Sequence, residues 1–171
     1  MMEGMAGLEG VERPRRRADV PATGRTPSTA DEQARGALGL FGDPAGEEVR
    51  LPSRPESAGA ARRLAESVVL RKWALSPQLA EHVVLLVSEL VGNAVRHTGA
   101  RTFGLRMLRR RGWIRVEVRD PSRGLPCLMP VQPLDISGRG LFLVDTLSDR
   151  WGVDLLPCGK TTWFEIRVAD R

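Results

Sequence analysis

The sequence predicts an α/β protein built as a two-layer sandwich, with helices packed on one face of a mixed β-sheet. Two patterns and their order carry this. In "WIRVEVRD", Ile114, Val116 and Val118 alternate with Arg115, Glu117 and Arg119, the period of two of a half-buried strand. "PQLAEHVVLLVSELVGNAVRH", Pro77 to His97, is apolar at helical spacing instead. Along the chain the elements read helix, helix, strand, strand, loop, helix, strand, strand, which suits one sheet with helices laid against it.

The first 49 residues hold 8 Gly and 4 Pro, and six Arg stand against nine acids. Few bulky apolar residues interrupt them, so residues 1–49 are expected to be a disordered tail that cannot offset its ordering entropy by burial. Residues 50–171 are enough for a sizeable core and form the single domain. "VRLP" starts it as a short extended piece, and turn chemistry runs from Pro52 to Ala58. A helix follows with Ala61, Leu64, Val68 and Val69 inward. Ser76 and Pro77 supply a cap and a first-turn proline for the long helix, which ends at Thr98-Gly99. Within it Val83 to Val87 point in nearly all directions, so its middle is expected to be buried almost all round.

Phe103, Leu105 and Met107 share one face of the next strand, and "RRRG" (Arg109 to Gly112) turns it back into "WIRVEVRD", which stops at Asp120. A loop with Pro121, Pro126, Pro130 and Pro133 leads to "SGRGLFLVDTLSDR", a glycine-rich turn opening a helix with Leu141, Val144 and Leu147 inward. "WGVDLLP" and "TTWFEIRVAD" are the last two strands, with Phe164, Ile166 and Val168 on one face of the second.

The net charge of +5 divides into −3 on residues 1–49 and +8 on residues 50–171, with a pI near 10.4. The arginines are scattered rather than gathered on one helix, and there is no Tyr to join a stacking platform, so direct nucleic-acid binding is not expected. The charge suits an anionic ligand such as a nucleotide, or an acidic protein partner, equally well. Cys127 and Cys158 have no metal-ligand spacing. No apolar run approaches the ~20 residues that cross a bilayer. A cytoplasmic protein with reduced thiols and no membrane contact is the expectation.

Four stretches hold candidate site residues. In "SELVGNAVRH", Glu89, Asn93 and His97 recur every four residues, so at 100° per residue they fall within about 80° of arc on one stripe. A carboxylate on an otherwise apolar helix is costly unless it is paired, hydrogen-bonded or turned to water, and an ordinary solvent-facing stripe satisfies that as well as a site wall does. Asp120 stands at a strand end before the glycine-bearing "DPSRG", where a turn is the plainer use. Gly138 and Gly140 open a helix whose free N–H groups can face an anion. Thr161 and Thr162 enter the last strand, where β-branched residues need no function.

Taken together, the order and spacing of these stretches resemble the ATP-binding domain shared by gyrase-type, heat-shock-type and histidine-kinase proteins, the Bergerat or GHKL fold. Closer still is the resemblance to the anti-sigma-factor serine/threonine kinases of partner-switching systems. "SELVGNAVRH" and "SGRGLFLVDTLSDRWG" carry most of it, over about residues 50–168. The resemblance implies ATP and Mg²⁺ as cofactors, Asn93 as the Mg²⁺ ligand and Glu89 as the residue that orients or activates a nucleophile. It makes Asp120 the adenine anchor with Thr161 beside it, and Gly138, Arg139, Gly140 and Leu141 the lid and helix start that hold the phosphates. His97 closes the motif in a structural role.

The family's aspartate loop usually reads D-x-G-x-G. Here Ser122 stands at the first glycine and Gly124 keeps the second. The only other histidine, His82, lies on the same helix as Glu89, so autophosphorylation on a phosphoacceptor histidine of the sensor-kinase kind is not expected. The implied function is phosphorylation of a small anti-anti-sigma (STAS-type) protein on Ser or Thr, sequestration of a sigma factor, or both, with a homodimer as a further candidate assembly. The alternative is an adaptor of the same fold that works by sequestration alone.

Overall fold

The computed structural model describes residues 28–97, 99–121 and 138–169. Its first element lies in the segment expected to be disordered. Helix α1 spans Thr29–Phe41 and starts in a capping box, in which Ser28 accepts from the Asp31 N–H while the Asp31 carboxylate accepts from the Ser28 N–H. It buries only Ala34 and Ala37, with Leu38 and Phe41 half-buried against the core. The fully buried positions are small residues, so composition gave little warning of the helix. The ordered domain therefore reaches back at least to Ser28.

After strand β1 (Val49–Pro52), helix α2 runs Pro55–Ser67, starting three residues before the expected end of the turn because Pro55 takes the first helical position. The helix continues as a π-turn over Val68–Lys72, and Ala74 follows at φ 51°. Helix α3 covers Pro77–His97, and Ser76 Oγ accepts from the Leu79 N–H at 3.2 Å as its cap. Val83, Leu86, Val87, Leu90 and Val91 of α3 are buried, whereas Leu85 is exposed. Burial of α3 is thus one broad face, not the whole circumference expected.

Strands β2 (Thr102–Arg110), β3 (Trp113–Asp120), β4 (Arg150–Leu156) and β5 (Gly159–Arg167) complete the sheet, with helix α4 (Gly138–Leu147) between β3 and β4. The order across the sheet is β1-β2-β3-β5-β4, and every neighbouring pair is antiparallel. The expected mixed sheet is corrected in this respect. The α4 crossover does leave β3 and β4 pointing the same way, but the β4–β5 hairpin folds β5 back into the slot between them. Leu51, Phe103, Leu105, Met107, Ile114, Val116 and Phe164 turn from the sheet toward Leu64, Leu86 and Leu90 of the helices and are fully buried. The α/β sandwich with helices on one face is as the sequence predicts.

The other sheet face carries no helix among the described elements and is built from charges and tryptophans. Arg115 donates to Glu117 at 2.6 Å, Glu165 at 3.2 Å and Asp154 at 3.4 Å, and its guanidinium lies 4.0 Å from the Trp163 ring centroid. Trp163 in turn crosses Gly152, where a Cβ would come within 2.7 Å of the indole. Arg150 and Arg167 both lie over Trp113.

Candidate functional site

Chain topology brings the candidate residues to one end of the sheet. α3 ends at His97 and β2 begins at Thr102, so the start of β2 lies near the Glu89–Asn93–His97 end of α3. Because Gly104 pairs with Arg119, that start lies beside the end of β3. Asp120 pairs with Lys160 at the beginning of β5, and β4 ends there too, Leu156 pairing with Gly159. α4 runs antiparallel to the strand that follows it, so its Gly138 end points the same way. The C-terminal half of α3, the end of β3, the β4–β5 turn and the start of α4 converge.

Glu89 and Asn93 are half-buried on the stripe of α3 that the sequence predicts, a helix packed against both β3 and α4. Asp120 is 4% exposed and shares the inward face with Val116 and Val118. A carboxylate so buried makes its hydrogen bonds with little competition from water. Gly138, Arg139 and Gly140 form the first turn of α4, and Leu141 behind them is half-buried. Gly124 and Ser122 lie outside the described residues, as do Cys127 and the side chain of His97.

Thr161 does not stand beside Asp120. It pairs with Arg119, and strand alternation turns it to the charged outer face. Thr162, paired with Val118, and Lys160, paired with Asp120 itself, share the inward face. A one-residue offset in the register exchanges the faces of a whole strand, and sequence alone could not fix that offset.

Gly159 lies at the same end of the sheet as Asp120, although only its motif stood out in the sequence. Its φ is +104°, and a Cβ there would lie 1.9 Å from the Asp120 carbonyl oxygen. Only glycine allows both the angle and the approach. The glycine of "GKTTW" was the available signal. Among the described residues no three His, Cys, Asp or Glu side chains gather as a metal cage, and no helix is long and apolar enough to cross a membrane. Cys158, at the β4–β5 turn, is an exposed free thiol.

An α/β sandwich with polar side chains gathered at one end offers a candidate ligand site there. A family model described as histidine kinase-like ATPase domain matches residues 51–166, and the chain belongs to that family. The chain is similar to the histidine kinase domain of the blue-light activated histidine kinase of Erythrobacter litoralis, at 21% identity and a TM-score of 0.45 over 80% of this chain and 70% of that one. No curated protein matches it. Family membership makes ATP the nucleotide to be fitted and phosphoryl chemistry the general activity.

Proposed function

We propose that the protein is an ATP-dependent serine/threonine kinase of the anti-sigma-factor type, which phosphorylates a STAS-type anti-anti-sigma protein, sequesters a sigma factor, or does both. The observation that carries the nucleotide part is the buried Asp120 carboxylate at the sheet end where α3 presents Glu89 and Asn93. The residues fit ATP with Mg²⁺. Asp120 can accept from the adenine amino group, with bare Gly159 behind it, and the first turn of α4 offers N–H groups to phosphates. Asn93 offers Mg²⁺ one amide oxygen, which suits an ion that takes few protein ligands and keeps waters and phosphate oxygens. Bound Mg²⁺ would neutralise phosphate charge. Glu89 would hold the attacking Ser or Thr hydroxyl and take its proton as the oxygen bonds to the γ-phosphorus and the bond to the ADP oxygen breaks.

Calorimetric titration with ATP, with and without Mg²⁺, tests this on the wild type and on Asp120→Ala. Binding that strengthens with Mg²⁺ and is lost in the variant supports it, as does transfer of the γ-phosphate to a partner. No binding at millimolar ATP would overturn it. A second use, sequestration without turnover, is favoured by two departures: Thr161 faces away from Asp120, and Ser122 stands at the first glycine of the loop. Partner capture that ignores ATP and survives Asp120→Ala would put that reading first.

A further inference from the structure

Arginines scattered along the sequence are gathered by the strand register onto the outer face of the sheet. Its outward positions carry seven arginines and three acids, and Glu48, lying across Gly104, is a fourth acid. Each of the four acids is engaged. Glu48 meets Arg50 and Arg119, whereas Glu117, Glu165 and Asp154 meet Arg115, and Glu165 also meets Arg150. No ion pair joins Arg106, Arg110 or Arg167 to a carboxylate among the described residues, and all three are exposed.

Two of these three flank Trp113. Arg110 pairs with it from one side and Arg167 from the other, so the three residues stand in one row, about 5 Å apart at Cβ. Arg167 lies 4.8 Å from the Trp113 ring centroid, and Arg150 reaches the same ring from the next row at 4.2 Å. The indole attracts these cations without neutralising them, and like charges side by side on a sheet repel. The one carboxylate that pairs with any of the three arginines, Glu165, is shared with Arg115. Asp149 is close by, but its carboxylate accepts from the Arg167 backbone N–H.

We propose that this corner of the sheet is a docking site for an acidic segment of another protein, whose carboxylates pair with Arg110, Arg150 and Arg167. A guanidinium stacked on an indole keeps its N–H edge free for a carboxylate and is ordered before the partner arrives. Charge argues against the other occupants. Residues 1–27 carry five arginines and four acids, so that part of the chain does not complement the face. Two copies meeting face to face would set one basic corner against the other. Nucleic acid would meet Glu117, Glu165 and Asp154 in the middle of the face, and both tryptophans already hold guanidiniums where bases would stack. The corner lies at the opposite end of β3 from Asp120, about 24 Å away along the strand, and on the other face of the sheet. A partner held there leaves the nucleotide end open, and the inference does not rest on the nucleotide reading.

Fluorescence anisotropy of the full chain with a labelled twelve-residue peptide of alternating Glu and Ser tests this. The same peptide with Gln for Glu and a twelve-nucleotide single strand of DNA are the comparison probes, and thermal unfolding confirms that each variant is folded. The Glu peptide should bind, and should weaken at least tenfold between 50 and 300 mM salt because exposed charges are screened. Arg110→Glu/Arg167→Glu should weaken it at least tenfold at low salt. Arg54→Glu/Arg62→Glu, the same charge change on exposed arginines at α2, should leave it within threefold. No binding at 1 mM peptide overturns the inference, as does equal binding of the Gln peptide. Equal loss in the two double variants also overturns it, by reducing the attraction to net charge. Tighter binding of the DNA strand, lost in Arg110→Glu/Arg167→Glu, would give the corner to nucleic acid instead, and wild-type self-association lost in that variant would give it to a second copy.

Discussion

Gly159 lies so close to Asp120 that its missing Cβ would sit 1.9 Å from the Asp120 carbonyl oxygen, and 3.2 Å from the α-carbon of Pro121. The start of the last strand is therefore a rest for the end of β3, and the position of the site carboxylate depends on a residue that has no side chain.

Gly159→Ala should accordingly push β3 and β5 apart at this end. Strain at φ +104° alone costs on the order of 1–3 kcal/mol, and the collision adds to it. The expected outcome is a lower unfolding midpoint together with at least a tenfold loss of ATP affinity. Unchanged affinity in a folded variant would show that Asp120 does not need this support.

Glu89→Ala separates positioning from chemistry. Glu89 and Asn93 share a stripe but are assigned different work, so the variant should bind ATP within about threefold of wild type. Transfer should fall by about 10²-fold or more, the usual worth of a placed general base. Retained transfer in a single-turnover assay would sink the role given to Glu89.

On the outer sheet face, Arg115 joins β3, β4 and β5. Burial pulls its pKa down, and hydrogen bonds and ion pairing with Glu117 and Glu165 more than restore it, leaving it above the usual arginine range. Arg115→Met keeps the stem but strips Glu117 and Glu165 of their donor, and should cost about 1–3 kcal/mol in urea unfolding. A loss below about 0.5 kcal/mol would make this network an ordinary surface ion cluster.

Acid should release α1 before the core. Arg71 and Lys72 of the π-turn reach Asp31 and Asp43 at opposite ends of α1. The Ser28 backbone N–H, with the Ser28 hydroxyl, Arg71 and Arg35, holds Asp31 below its ordinary pKa. Asp43 is pushed up by burial but brought lower still by Lys72 and the Ala45 N–H. Depressed carboxylates stabilise the fold fully above their unfolded pKa, near 3.9, and lose that contribution as pH falls through the folded value. Hydrogen-exchange protection of α1 should therefore drop below about pH 4 while α3 stays protected. In Asp31→Asn/Asp43→Asn that protection should already be low at neutral pH and change little with acid.

The strands and α3 were legible because their patterns are long and simple. The alternation from Ile114 to Val118 has one reading, and so has the apolar face of a 21-residue helix. α1 was hidden because the only residues it buries fully are two alanines, and a capping box of one Ser and one Asp is a faint mark against so many glycines. The placement of the candidate residues was legible where it rests on a single element, as with Glu89 and Asn93, or on a strand terminus, as with Asp120. It was misread at Thr161 because two adjacent threonines fit either face, and only the pairing of β5 with β3 decides between them.

The place of β5 has a consequence for how the chain is made. Among the described strands it is the last to be synthesised, yet it lies between β3 and β4. A nascent chain halted at Leu156 would have three paired strands, an orphaned fourth, and Asp120 facing water. Nucleotide competence would then arrive in a single late event, when residues 159–167 clear the ribosome and slot into the gap, and a partly made copy could neither hold ATP there nor compete for it.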